Sequence, residues 1–327
     1  MPESWKGLPT SMPMPSGSWI DPMQTLSPIT IFGEVLFDCF PDGAEVLGGA
    51  PFNVAWHLRG FGLSPSFISR VGQDGRGDQI RSSMQSWGLD STFLQSDASH
   101  PTGRVRVSIE ANEPHYDIVP ESAYDFIQAR DIPKLPAHGI LYHGSLALRH
   151  PVAAAALAAV KAMHQGTIFL DVNLRTPWWS REVIQPLLDD ADHVKLNEAE
   201  LALLAVDGPK VGLLADDDAS LGSVMRDFAH QHGLETLIVT RGARGAMLWS
   251  GGEMATVGPA PDTRIVDTVG AGDAFAAAFL LGLSQQWSPS DSLDHARDFA
   301  AALVSRQGAT IDDPSVYQEF LTSWGCR

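Results

Sequence analysis

From Ile29 onward, short apolar runs rich in β-branched residues alternate with stretches whose apolar positions repeat at helical spacing. The pattern predicts strands at Ile29–Gly33, Pro65–Val71, Arg104–Glu110, His115–Ile118, Gly139–His143, Thr167–Val172, His193–Leu196, Thr236–Thr240 and Ala246–Trp249. It predicts helices at Ala50–Arg59, Gly77–Trp87, Val152–Met163, Glu182–Asp190, Glu198–Ala205, Leu221–His232, Gly272–Leu283 and Ser292–Arg306. Strands separated by helices imply βαβ crossovers, hence an α/β fold with a mostly parallel sheet covered on both faces. In such sheets ligands bind outside the carboxyl ends of the strands. One region departs from the alternation. Arg104-Val-Arg-Val-Ser-Ile-Glu110 alternates polar and apolar residues, as a half-exposed strand does. With His115–Ile118 and Glu34–Val46 it is expected to form a small antiparallel sheet apart from the main one. Such a flap, spanning about 34–47 and 101–119, would shield a reacting centre from water.

Residues 1–27 are rich in Pro, Ser, Gly and Met and show no periodicity. They lack the basic and apolar regions of a signal peptide, so a flexible leader is expected ahead of one domain over 28–327. The 327-residue length and 44% apolar content suffice for a large core. No apolar run is long enough to predict a membrane-spanning helix. A formal charge of −17 argues against nucleic acid or anionic membrane as partner, yet leaves open a small anionic ligand held by local groups. Cys39 and Cys326 follow no disulfide or metal spacing, which fits a reduced, cytoplasmic protein.

The chemistry concentrates at Asp267-Thr-Val-Gly-Ala-Gly-Asp-Ala-Phe275. Gly270 and Gly272 allow a tight turn into an apolar helix, whose free N–H groups favour an anion. Asp273 reads either as a helix N-cap or as a proton acceptor beside that anion. A second glycine cluster, Leu47-Gly-Gly-Ala-Pro-Phe-Asn53, lets backbone approach a ligand at Gly48 and Gly49, with Asn53 offering donor and acceptor, or else forms a plain strand–helix turn. Asp38 can accept hydrogen bonds from vicinal hydroxyls, or sit solvated in a loop. Asn197 and Glu200, one helical turn apart, can hold the water shell of Mg2+, and the same spacing fits a capping box. Thr240-Arg-Gly-Ala-Arg-Gly245 is a glycine-rich turn between strands that can contact nucleotide through Thr240, Gly242 and Gly245. Arg175, closing Asp171-Val-Asn-Leu-Arg175, suits a phosphate or an ion pair. Walker-type and protein-kinase signatures are absent, and the Gly-x-Gly pairs lack the last position of a dinucleotide fingerprint.

Taken in order, these segments resemble the PfkB family of carbohydrate kinases. The N-terminal signature is similar to Gly48-Gly-Ala-Pro-Phe-Asn-Val-Ala-Trp-His-Leu-Arg-Gly-Phe-Gly62 and Arg70-Val-Gly-Gln-Asp-Gly-Arg-Gly-Asp78, the C-terminal one to Asp267–Phe275. The resemblance spans about 28–320. It implies a ribokinase-like three-layer α/β/α sandwich with a β-sheet lid. It further implies ATP and Mg2+ as cofactors, with Asp273 as base and Gly270, Ala271 and Gly272 as anion hole. Asn197 and Glu200 would organise Mg2+ and ATP phosphates (Glu200 through water), and Thr240, Gly242 and Gly245 the nucleotide. Asp38, Gly48, Gly49 and Asn53 would hold the sugar, and Asp267 with the Val269 carbonyl would match a monovalent-cation loop, as in members that K+ activates.

Gly33-Glu, Gly48-Gly-Ala-Pro and Asp171–Arg175 most resemble the fructokinase branch, so fructose or a related ketose is the expected substrate. 2-Keto-3-deoxygluconate, ribose and nucleosides are the rivals. Arg104 and Arg106 share a face of their strand. Turned inward they would favour an acidic or phosphorylated sugar, and turned outward they are surface charges. A catalytically silent sugar- or nucleotide-binding regulator on the same fold and a nicotinamide-dependent oxidoreductase are the readings from other classes. A homodimer through the edges of the flap is the expected assembly.

Overall fold

The computed structural model describes residues 26–110, 113–205, 218–261 and 263–326. All but the last two residues of the expected leader lie outside the described residues. In chain order the strands are β1 (Ile29–Phe32), β2 (Leu36–Cys39), β3 (Glu45–Gly48), β4 (Ser66–Gly72), β5 (Leu94–Asp97), β6 (Gly103–Glu110) and β7 (Glu113–Ile118). They continue with β8 (Ile140–His143), β9 (Thr167–Asp171), β10 (His193–Asn197), β11 (Thr236–Thr240), β12 (Ala246–Ser250) and β13 (Glu253–Val257). The helices are α1 (Ala50–Gly60), α2 (Gly75–Trp87), α3 (Pro151–Met163), α4 (Arg181–Asp189), α5 (Glu198–Leu204), α6 (Asp218–His232), α7 (Ala271–Ser284), α8 (Pro289–Val304) and α9 (Pro314–Ser323).

The main sheet runs β13-β12-β11-β10-β9-β8-β1-β4-β5, parallel from β11 to β5 and antiparallel at β12 and β13. Side chains alternate across it as strand geometry requires. Ile29 and Ile31 join the core beneath α1, α7 and α8, whereas Phe32, with Ile68 and Leu141, joins the core beneath α3. Leu170, Val194, Leu196, Leu237 and Val239 form a further core with α4 and α6. The result is three layers, helix–sheet–helix. Helix α7 is apolar all round because it is the inner helix: Ala274 to Gly282 are all buried.

The sequence pattern missed β5, β13 and α9. The two strands are the edges of the main sheet, short and partly polar, and carry no alternation to detect. Helix α8 begins a turn earlier than its apolar period, where the Ser288 hydroxyl accepts from Asp291 N–H (3.0 Å) and Pro289 opens the first turn.

The second sheet has the order β3-β2-β6-β7. It is mixed rather than antiparallel, because β2 and β6 pair in parallel, with Asp38 beside Val105. The cause is topological. β1 and β5 run the same way in the main sheet, and the chain emerges from both at the same edge to form β2 and β6.

Candidate active site

A cavity of about 580 Å³ opens at the carboxyl ends of the parallel strands, under the second sheet. Most of the residues expected at a site meet there. Asp38 reaches it from β2, Gly49 and Asn53 from the start of α1, Arg175 from the loop after β9, and Asn197 and Glu200 from the start of α5. Thr240 ends β11, and Val269, Gly270, Gly272 and Asp273 surround the start of α7. Gly48 lies just behind, where a β-carbon would stand 3.7 Å from Asp38 Oδ2.

The start of α7 is held by Gly270, whose φ of 77° lies in the left-handed region. A β-carbon there would fall 2.6 Å from Ala309 Cα, so only glycine fits on both counts. Gly270 is itself the N-cap residue, which removes the capping role considered for Asp273. The Ala271 N–H donates to the Thr268 carbonyl over a long 3.3 Å, and the Asp273 N–H to the Gly270 carbonyl at 3.0 Å. Asp273 sits inside the first turn, and its Oδ2 accepts from Asn53 Nδ2 at 2.8 Å. Burial foremost raises its pKa from 3.8 to about 6; the Asn53 bond lowers it, the Asp171 charge raises it, and Lys195 and Arg175 lower it.

On the other side of the cavity, Gly49 has φ 110°, and a β-carbon would meet the Glu34 carbonyl oxygen at 2.8 Å. Burial raises the Asp38 carboxyl, and Arg175 partly opposes it. Asn197 and Glu200 form the capping box: Asn197 Oδ1 accepts from Glu200 N–H and Glu200 Oε2 from Asn197 N–H, both at 2.9 Å. Glu200 Oε1 accepts from Leu174 N–H at 2.7 Å, which ties the Arg175 loop to α5. The cap and the cavity-lining position are therefore held by the same two side chains.

A second lobe of about 470 Å³ shares Thr240, Thr268 and Gly272 with the first and extends past Gly242, Gly245, Phe275 and Val304. Its walls are largely apolar, as a planar ring requires, while the first lobe is lined by charged and amide groups. Asp267 directly precedes the shared wall residue Thr268; its Oδ1 accepts from Val269 N–H and its Oδ2 from Gly308 N–H, each at 3.0 Å.

Arg104 is the exception. It pairs in register with Phe37, while its neighbour Val105 lines the cavity, so strand alternation turns the guanidinium to the far face of the lid. Arg106 follows it and pairs there with Asp117 at 3.2 Å. Of the two orientations considered for this pair, the inward one, which would make Arg104 a sugar-binding residue, is not seen: neither arginine lines the cavity.

Sequence reasoning missed two features. The Lys195 ammonium bonds both oxygens of Asp171 (2.9 and 2.8 Å), with Tyr142 O–H donating to Asp171 Oδ2 at 3.1 Å. A β-carbon on Gly272 would touch Lys195 Nζ at 3.5 Å, so this pair abuts the start of α7. The signal was a lysine inside the apolar run Val194–Leu196. The other is the place of Glu34, only 4% exposed, two residues past the end of β1 in the cavity wall.

An open parallel sheet whose crevice joins a helix N-terminus, a carboxyl with its pKa raised to about 6 and an apolar slot has the parts of a small-molecule phosphotransferase. The family model for pfkB family carbohydrate kinases matches residues 40–316. A fructokinase of Klebsiella pneumoniae is 32% identical over 288 residues, which are 84% of this chain and 90% of that protein. The aminoimidazole riboside kinase of Salmonella typhimurium is 28% identical over 92% of this chain and 97% of its own. Among solved structures, a double mutant of the Vibrio cholerae O395 fructokinase, bound to fructose, ADP and potassium ion, superposes with a TM-score of 0.76. It is 25% identical and covers 91% of this chain and 99% of that one. The chain belongs to the pfkB family of carbohydrate kinases.

Proposed function

We propose that this chain transfers the γ-phosphoryl group of ATP to a hydroxyl of fructose or a related ketose. The observation that carries the reading is the Asn53–Asp273 pair at the start of α7. It places a carboxylate with a pKa near 6 beside a helix N-terminus, between a polar lobe and an apolar one. The sugar occupies the polar lobe against Asp38, Gly48, Gly49 and Asn53, and ATP the lobe lined by Thr240, Gly242 and Gly245. Asp273 takes the proton of the attacking hydroxyl as the O–P bond forms. The backbone of Gly270, Ala271 and Gly272 receives the charge spread over the transferred group, and the long Ala271–Thr268 bond is the one that yields an N–H to it. Arg175 steadies the phosphoryl group in flight. Catalysis is thus mainly positioning and electrostatics.

Mg2+, which neutralises phosphate charge in such transfers, suits the residues present. Each Glu200 oxygen accepts one backbone N–H, and the acceptor capacity that remains at this cavity-lining residue would hold a metal-bound water. Among the described residues no cluster of three His, Cys, Asp or Glu side chains is placed to ligate a metal directly, so water and phosphate would supply the rest of the shell. A monovalent cation suits the loop that Asp267 ties to Val269 and Gly308.

Names of relatives support ketose as substrate, and the Salmonella relative supports aminoimidazole riboside as a second reading. ADP release over a panel of fructose, ribose, 2-keto-3-deoxygluconate and aminoimidazole riboside tests both. Fructose turning over fastest is expected. Turnover of another member with none of fructose would overturn the first reading.

A further inference from the structure

We propose that Glu34 is a specificity-determining residue that accepts a hydrogen bond from a hydroxyl of the sugar and makes the polar lobe selective for uncharged polyols. The inference rests on the sugar-kinase reading above and gives a role to a residue that entered the sequence comparison only as part of the Gly33-Glu pair.

Glu34 is fixed before any ligand arrives. Gly33 ahead of it packs against the Pro51 ring, where a β-carbon would stand 2.3 Å from Pro51 Cγ. Gly49 presses on its carbonyl oxygen. Its side chain forms part of the cavity wall, and Oε2 is buried without a hydrogen-bond partner. A carboxylate oxygen left so costs free energy that a ligand donor can recover. A second acceptor in the same lobe is in the same condition. Asn53 gives its Nδ2 to Asp273, and Oδ1 is left buried and unpartnered. Both orphans in the cavity wall are acceptors. Among the described residues, none of the buried orphan guanidinium nitrogens, Arg104 Nε, Arg149 Nη1 and Arg241 Nε, belongs to a residue of that wall.

The lobe therefore asks its ligand for donors. Hydroxyl groups supply them; a sugar carboxylate supplies only acceptors. Charge points the same way. Glu34, Asp38 and Asp273 all feel Arg175; Glu34 also feels Arg149, already paired with Asp125, and Asp273 feels Lys195, already paired with Asp171, so Arg175 is the exposed cation these three carboxyls share. Burial foremost, with the Asp273 charge, raises the Glu34 pKa to about 7 against its own backbone N–H, Arg175 and Arg149, and a hydroxyl donor on the ligand would favour the ionised, accepting form.

The test compares wild type with Glu34→Ala and Glu34→Gln, using fructose and a set of its mono-deoxy analogues. Wild type is expected to lose roughly 10- to 100-fold in kcat/KM when one particular hydroxyl is removed. Glu34→Ala should raise the KM for fructose by a similar factor, leave the KM for ATP unchanged, and abolish the penalty for that one deoxy sugar. Glu34→Gln, which keeps the shape and removes the charge, should improve kcat/KM for 2-keto-3-deoxygluconate relative to fructose. Equal deoxy penalties in wild type and Glu34→Ala would overturn the hydrogen bond, and an unchanged acid-to-fructose ratio in Glu34→Gln would overturn the charge selection. Wild type that phosphorylates no neutral sugar would instead overturn the functional reading itself, so the two failures are distinguishable.

Discussion

Replacing Asp273 by Asn keeps the shape and the acceptor for Asn53 Nδ2 while removing the charge, and activity and stability should then move in opposite directions. The native carboxyl titrates near 6 rather than 3.8, chiefly because it is buried. At about 1.36 kcal/mol per pH unit, that gap sets an upper bound of about 3 kcal/mol on the cost of its charge. Asp273 keeps some exposure to the cavity, and solvent screening brings the figure to about 1–2 kcal/mol. The folded protein binds this proton more tightly than the unfolded chain does. The cost is therefore complete above about pH 6, fades as pH falls toward 3.8, and is absent below it. Urea unfolding should show Asp273→Asn more stable than wild type by about 1–2 kcal/mol near pH 7.5, with the gap closing near pH 4. The same variant should lose about 100- to 10,000-fold in kcat, with the sugar KM within a few-fold, in a coupled ADP assay. Wild-type kcat should fall about tenfold per pH unit below about pH 6, as the base protonates. A variant that keeps more than a tenth of wild-type kcat would refute the base. One that is less stable at neutral pH would refute the electrostatic account of Asp273.

The buried Lys195–Asp171 pair should behave as coupled charges: Lys195→Met alone is expected to destabilise by about 3–5 kcal/mol in urea, and adding Asp171→Leu to restore most of it. Gly270→Ala forces a β-carbon onto Ala309 in a left-handed conformation, so a drop in thermal midpoint together with a loss of kcat is expected. Arg104→Ala should leave the sugar KM within about twofold, because its side chain is on the far face of the lid; a tenfold rise would place it in the site after all.

Local spacing made the start of α7 legible in the sequence, since Gly270, Gly272 and Asp273 act within a few residues of one another. The capping box at Asn197 and Glu200 was legible for the same reason. What stayed hidden depends on register between distant strands. Lys195 meets Asp171 because β10 and β9 pair at those two residues, and neither strand alone announces the other. Alternation showed that Arg104 and Arg106 share a face, yet only the pairing of β2 with β6 decides which face it is. Glu34 was legible only as part of the Gly33-Glu pair, and its place in the cavity wall was not. A glutamate following a glycine at a strand end reads as solvated until the lid covers it.

Helix α1 explains how two ends of the cavity can be set together. Its Asn53 bonds Asp273 across 220 residues of sequence, and one turn later it grips the loop behind Gly270. Trp56 Nε1 donates to the Ile311 carbonyl and His57 Nε2 to the Ala309 carbonyl, both at 3.1 Å. Burial lowers the His57 pKa to about 4, so the ring is neutral and carries one proton. A carbonyl can only accept, which puts that proton on Nε2, while Nδ1 faces the Tyr317 hydroxyl at 2.9 Å, whose one proton also lies within reach of the Ile311 carbonyl at 3.0 Å. Ala309, so held, is the residue that packs against Gly270 and closes the turn. The helix that orients the base through Asn53 therefore also backs the turn that faces the phosphoryl group. A shift of α1 cannot move one without the other, and this rigidity is what positional catalysis needs.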